Sequence, residues 1–275
     1  MFTRFDIKTV GALLAVLLAL LDARAGAHEV KVMFEKLDVK PGDSDVVFLS
    51  WGHRLPTDQP TRKADVERYQ LTTPGGSVRK LSLDEESDQR NTIHVEEEGC
   101  YTAEAIRKPA VMTIFRFEDR HVHFLGPKTK IRKGATVEDS FRSHQFAKAL
   151  VSSGKGLQKP TAVGHTLEII PASAPAEWTA GREIPFRVLF EGRPISGKLF
   201  QARPLGFKPD DVWTWTRPTD QEGQAVLTPD RPGTWLLKAT VERPAPISER
   251  EEFDADHWTA TLILEIRPAD GHAAR

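Results

Sequence analysis

The chain has a single cysteine, Cys100, in 275 residues, and no excess of either charge: 38 Lys and Arg stand against 39 Asp and Glu. One cysteine excludes an internal disulfide and a cysteine-built metal cluster. A net charge of −1 excludes a polybasic nucleic-acid binder, and 39% hydrophobic residues exclude an acidic disordered tail. Long apolar runs are scarce too. Residues 10–21 form a run of 12, against the roughly 20 that a membrane-spanning helix needs. There is no Gly-x-Ser-x-Gly elbow, phosphate loop or H-E-x-x-H helix, so no enzyme motif is present and the chain reads as non-catalytic. The acidic runs at 84–86 and 96–98 lack the Asp-x-Asp-x-Asp-Gly order of a calcium loop and read as solvated turns.

What is present begins with an address. Arg4 and Lys8 precede the apolar run, and Ala23-Arg24-Ala25-Gly26-Ala27 follows it. A basic start, a short apolar segment and small residues describe a secretory signal peptide over 1–27. The expected location is therefore the periplasm, with no membrane span after cleavage. Two small-x-small patterns compete for the cut. Cleavage after Ala25 leaves Gly26 first; cleavage after Ala27 makes His28 the first residue.

Beyond the signal, short alternating runs are separated by turn residues, among them 17 glycines and 19 prolines. Regularly spaced short strands of this kind predict β-sandwiches. The halves share a layout: Gly99-x-Tyr101 opens a late strand in the first, and Gly233-x-Trp235 opens one in the second. In each, glycine makes the corner and the aromatic fills the core. One segment departs from the pattern. Residues 137–151 carry Val137, Phe141, Phe146 and Leu150 as a helical stripe, with acids early and a lysine late. The expectation is an all-β chain of two tandem immunoglobulin-like or transthyretin-like β-sandwich domains, over 28–158 and 159–268, with one short helix near 137–151 and a tail at 269–275. Residues 154–162 would be the linker.

The second half carries Gly164-His165-Thr166-Leu167-Glu168, then Gly181-Arg182-Glu183-Ile184-Pro185-Phe186, Pro232-Gly233-Thr234-Trp235 and His257-Trp258-Thr259. The first half adds Ala27-His28 and Gly52-His53-x-x-Pro56. With these motifs the chain resembles a bacterial periplasmic domain family of unknown function, formerly described as the nickel-uptake substrate-specific region. The resemblance implies sandwich domains and an accessory role in nickel or cobalt uptake beside a membrane transport component.

The residues themselves offer metal ligands. A free N-terminal His28 presents its amine and imidazole to one ion, a set suited to nickel, cobalt or copper. On a strand, His121-x-His123 places both rings on one face, about 7 Å apart at Cα, with Val122 turned inward. His53 sits in a Gly-His-Arg-Leu-Pro loop at a strand end, a usual place for functional groups. His28, His53, His121 and His123 are therefore the candidate ligands. His144 reads as a helix-surface residue, His165 as the opening of the second domain, and His257 as part of a solvated hairpin with Asp254 and Asp256. Trp213 and Trp215 would share one face if extended. Two functions follow: a periplasmic metal-binding accessory of nickel or cobalt uptake, or a non-catalytic tandem-sandwich interaction module of the cell envelope.

Overall fold

The computed structural model describes residues 28–52, 58–206 and 212–269. The segment expected to be a signal peptide, His53 and the end of the tail lie outside the described residues. The chain is all-β. Its main strands are β1 (Glu29–Phe34), β2 (Ser44–Gly52), β3 (Val66–Thr72), β4 (Val78–Lys80), β5 (Asn91–His94), β6 (Gly99–Phe117), β7 (Arg120–Leu125), β8 (Thr136–Ser153), β9 (Leu167–Pro171), β10 (Ile184–Phe190), β11 (Leu199–Pro204), β12 (Trp215–Pro218), β13 (Gln224–Leu227), β14 (Gly233–Pro244) and β15 (Ala255–Ile266). Among the described residues no helix is long and apolar enough to cross a membrane.

Three layers result. The central sheet runs β12-β11-β14-β15-β8-β6-β3-β4, with β7 added beside β6. One of its faces carries the β1-β2-β5 sheet, and the other carries the sheet of β9, β10 and β13. Alternation in the shared strands shows it directly. Phe146, Leu150, Leu262 and Leu264 join the core under β9 and β10. Ala147, Ala149, Val151 and Ile263 join the core under β1 and β2. Successive residues of a strand point to opposite faces, so one strand feeds two cores. The halves are joined rather than merely consecutive: β8 and β15 pair in parallel, from Phe141↔Ala255 to Ala149↔Ile263.

The helix expected at 137–151 is instead the 18-residue strand β8. Residues 145–151 are buried without a break, because both faces are covered. A strand of that kind has no period-2 pattern to read. Register shifts between Val137 and Asp139 and between Ser143 and Gln145 blur the alternation further. The helix-forming Ala147, Lys148, Ala149 and Leu150 yield to tertiary pairing with β6 and β15.

The two Gly-x-aromatic starts behave as expected. Tyr101 is 1% and Trp235 is 2% exposed, one in each core. Tyr101 Oη accepts from the Glu96 and Glu97 amides at 3.1 Å and donates to the Glu97 carbonyl at 3.2 Å. Gly99 has φ +137°, and a Cβ there would lie 2.5 Å from Gln158 Oε1 and Pro74. Cys100 is buried in a strand, and burial pushes its thiol up to about 12.

After β8 the chain is clamped by buried charge. Lys148 Nζ meets Glu168 Oε1 at 2.6 Å, with side chains 3% and 2% exposed. Glu168 also accepts the amides of Val163, Gly164 and His165 at 2.8–3.2 Å. His165 Nε2 stands against the buried Glu104 carboxylate, which Arg68 Nη2 also reaches at 3.2 Å. Strands β3, β6, β8 and β9 are thereby tied to the connecting segment.

Candidate ligand groove

The β1-β2-β5 sheet covers only part of its face of the central sheet. Where β1 stops at Glu29, the floor continues uncovered along β6, β8 and β15, through Met112, Ile114, Phe141, Ser143 and Thr259. The result is a groove of about 1120 Å³. Residues lining it include His28, Trp51, Arg107, His123 and Trp213.

The lining at β1 is held by specific bonds. Gln145 Nε2 donates to the His28 carbonyl at 2.9 Å, and Gln145 Oε1 accepts the Val30 amide at 2.8 Å. Thr261 Oγ1 donates to the Val30 carbonyl at 2.9 Å. Lys31, 1% exposed, donates to the Gly52 carbonyl at 2.6 Å. Burial pulls its ammonium down to about 8. Glu29 pairs with Lys238 at 2.7 Å. Burial raises its carboxyl, but Lys238 and Lys31 outweigh that and leave it below the usual range. The antiparallel register sets Glu29 opposite Gly52, so the residue after His28 faces the residue before His53. Gly52 has φ +116°, and a Cβ would lie 2.5 Å from Asp58 Oδ2. Only glycine fits that close approach, and Gln59 returns to Trp51 with an amide bond of 3.0 Å.

Trp51 organises this end of the groove. His28 stacks on it, with centroids 5.6 Å apart and planes 18° apart. The Arg107 guanidinium lies 4.1 Å from its centroid. Arg107 Nη2 also pairs with Asp65 at 3.3 Å. Burial lowers the guanidinium's pKa, with Asp65 opposing the shift.

The four candidate ligands are distributed unevenly. His28 and His123 line the same groove. His121 and His123 share a face of β7, since their neighbour Val122 alternates with them, and both are exposed. His121, however, pairs through Nδ1 with Glu138 at 2.9 Å and is not part of the lining. His53 lies outside the described residues. Among the described residues no three His, Cys, Asp or Glu side chains form a metal cluster.

Other expectations change. His144 is on β8, not on a helix. Its Nε2 meets Asp256 at 2.7 Å and its ring stacks on Trp258 at 4.9 Å. Arg142 binds the same carboxylate at 2.6 and 3.1 Å. Asp254 pairs with Lys128, so His257 does not gather with its two acidic neighbours. It stacks on Phe141 at 4.2 Å, faces Glu242 at 3.2 Å and lines the groove. The Trp213 and Trp215 indoles diverge, because β12 begins only at Trp215. Trp215 packs edge-on against Phe200 in one core, and Trp213 packs against the other. Arg203 and Lys238 lie over the Trp213 ring at 5.2 and 4.7 Å. Sequence reasoning missed Trp51, Arg107 and His257 as groove residues. Trp51 had a local sign in its place just before Gly52-His53; Arg107 and His257 had none.

A layered all-β fold with a large polar and aromatic groove is the class that these features define. The chain belongs to the family of domains of unknown function DUF4198, whose model matches residues 25–243. No curated protein sequence matches it. The chain is similar to several solved structures. The D0-D1 domain of intimin is 13% identical at a TM-score of 0.23, over 88% of this chain and 100% of that one. The fibronectin(III)-like modules of Clostridium thermocellum CbhA are 9% identical at 0.22, over 89% and 98%. The Y1175G mutant of Salmonella alpha-2-macroglobulin is 12% identical at 0.24, over 90% of this chain and 15% of that one.

Proposed function

We propose that this protein is an exported, non-catalytic periplasmic accessory that binds a transition-metal ion, nickel or cobalt first and copper as an alternative, and passes it to a membrane transport component. The observation that carries the reading is that His28 and His123 open onto one groove. His53 is proposed as a further ligand. His121 shares the strand face of His123 and would join on release of Glu138. Imidazole nitrogens suit these metals.

The test is calorimetric titration of nickel(II) into untagged protein that begins at His28, with native mass spectrometry for stoichiometry. The expected result is one ion per chain, with affinity lowered at least about tenfold by His123→Ala, a loss of about 1.4 kcal/mol. Affinity falls between neutral and mildly acidic pH, because a protonated imidazole cannot ligate. Affinity that is flat over that range sinks the reading.

Trp213 favours a second reading, an interaction module of the cell envelope. Its indole lines the groove under two cations. Loss of partner capture in Trp213→Ala, with metal binding intact, would support it.

A further inference from the structure

The groove is far larger than a metal ion requires. A fully hydrated ion with six waters, at about 30 Å³ per water, occupies roughly 200 Å³. The groove holds about 1120 Å³, the scale of an organic-ligand site. Its chemistry also exceeds what an ion uses. Met112 and Ile114 give it an apolar floor, and Arg107 and Lys238, paired with Asp65 and Glu29, stand in the same lining.

The end around Trp51 is the informative part. One indole carries both the His28 imidazole, at 5.6 Å, and the Arg107 guanidinium, at 4.1 Å. Arg107 makes one ion pair, through Nη2 to Asp65, while its planar fork has five N–H donors. The remaining donors suit a carboxylate, which arginine binds in a two-pronged fashion. A nitrogen donor for a metal and a fork for a carboxylate thus both touch one indole. His123, exposed on β7, adds a second nitrogen donor to the lining.

We propose that the groove takes its metal as a chelate, a nickel(II) or cobalt(II) complex of a small amino- or hydroxycarboxylate, rather than as the hydrated ion. This rests on the metal-binding reading above. His28 or His123 fills a coordination position that the chelator leaves to water. Arg107 binds a chelator carboxylate. No bond of the chelator is made or broken; one metal-bound water is exchanged for an imidazole.

The experiment compares three probes on the wild-type chain beginning at His28: nickel(II) chloride, nickel(II) bis(L-histidine) and L-histidine alone. Calorimetry gives affinity, and native mass spectrometry gives the mass of the bound species. The expected result is that the complex binds at least tenfold more tightly than the hydrated ion, with the chelator retained in the bound mass. Arg107→Met should weaken the complex about tenfold and leave binding of the hydrated ion unchanged, with thermal melting checking its fold. Tighter binding of nickel(II) chloride, with the chelator stripped away, overturns the chelate proposal and leaves the metal-binding reading standing. Binding of none of the probes overturns both. Binding of L-histidine alone, as tightly as the complex, overturns both in favour of an organic-ligand site.

Discussion

Lys148 and Glu168 are 3% and 2% exposed, so removing one partner strands the charge of the other in the interior. Lys148→Met is expected to cost about 3–5 kcal/mol, the usual result of breaking a buried pair, and urea denaturation measures it. His165 answers to pH. Burial holds its imidazole below the usual range, with Glu104 opposing. The unfolded chain therefore takes up that proton first. The stability from neutral His165 is complete above about pH 6.5 and is lost as pH falls from there through the folded value. Glu168 acts in the same direction at lower pH. Burial raises its carboxyl, but Lys148 and the amides it accepts keep it below 4.5. Melting temperature should fall from about pH 6.5 downward, and His165→Gln should flatten the first part of that slope. None of this was legible in the sequence. Lys148 read as the basic end of a helix and His165 as a linker residue, because partners 20 or more positions away leave no local mark. Tyr101 and Trp235 were legible, because Gly-x-aromatic is a local signature of a turn entering a core.

At the scale of the element, β1 shows how a strand is docked by side chains of another layer. Gln145 bridges the His28 carbonyl and the Val30 amide. Gln145→Leu leaves the buried Val30 amide without its acceptor, at a cost of about 1–3 kcal/mol. It also frees the strand end that carries His28. Nickel(II) affinity should drop with it while His123 stays in place, and calorimetry on the variant checks this. The β1 pattern is easy to read, since one face meets the core. β8 is not, since Gln145 and Lys148 are buried among apolar neighbours on a strand covered on both sides. The same physics explains the groove's partial legibility. His28 was singled out as a free N-terminal donor and His123 as half of an H-x-H pair on a strand. Arg107 and His257 entered the site only because distant strands lie side by side.

For the whole molecule, the parallel pairing of β8 with β15 makes the halves one sheet. Expressed separately, residues 28–158 and 159–269 would each expose an unpaired edge and half a core. They are expected to aggregate alone and to associate when refolded together, which size-exclusion chromatography resolves. Two independent monomeric domains would contradict the shared-sheet account. The turn-and-aromatic layout of the two halves made the all-β class legible. That they lean on opposite faces of a common sheet depends on pairing between strands more than 100 positions apart, which no local pattern encodes.

The bond from Thr261 to Val30 joins residues 231 positions apart. A contact of that sequence separation closes late, because the loop entropy must be overcome before the contact rewards it. The core under β1 cannot be sealed while the strand carrying Thr261 is still inside the ribosome. The first half thus has a built-in delay: its core sets only when a strand of the second half arrives.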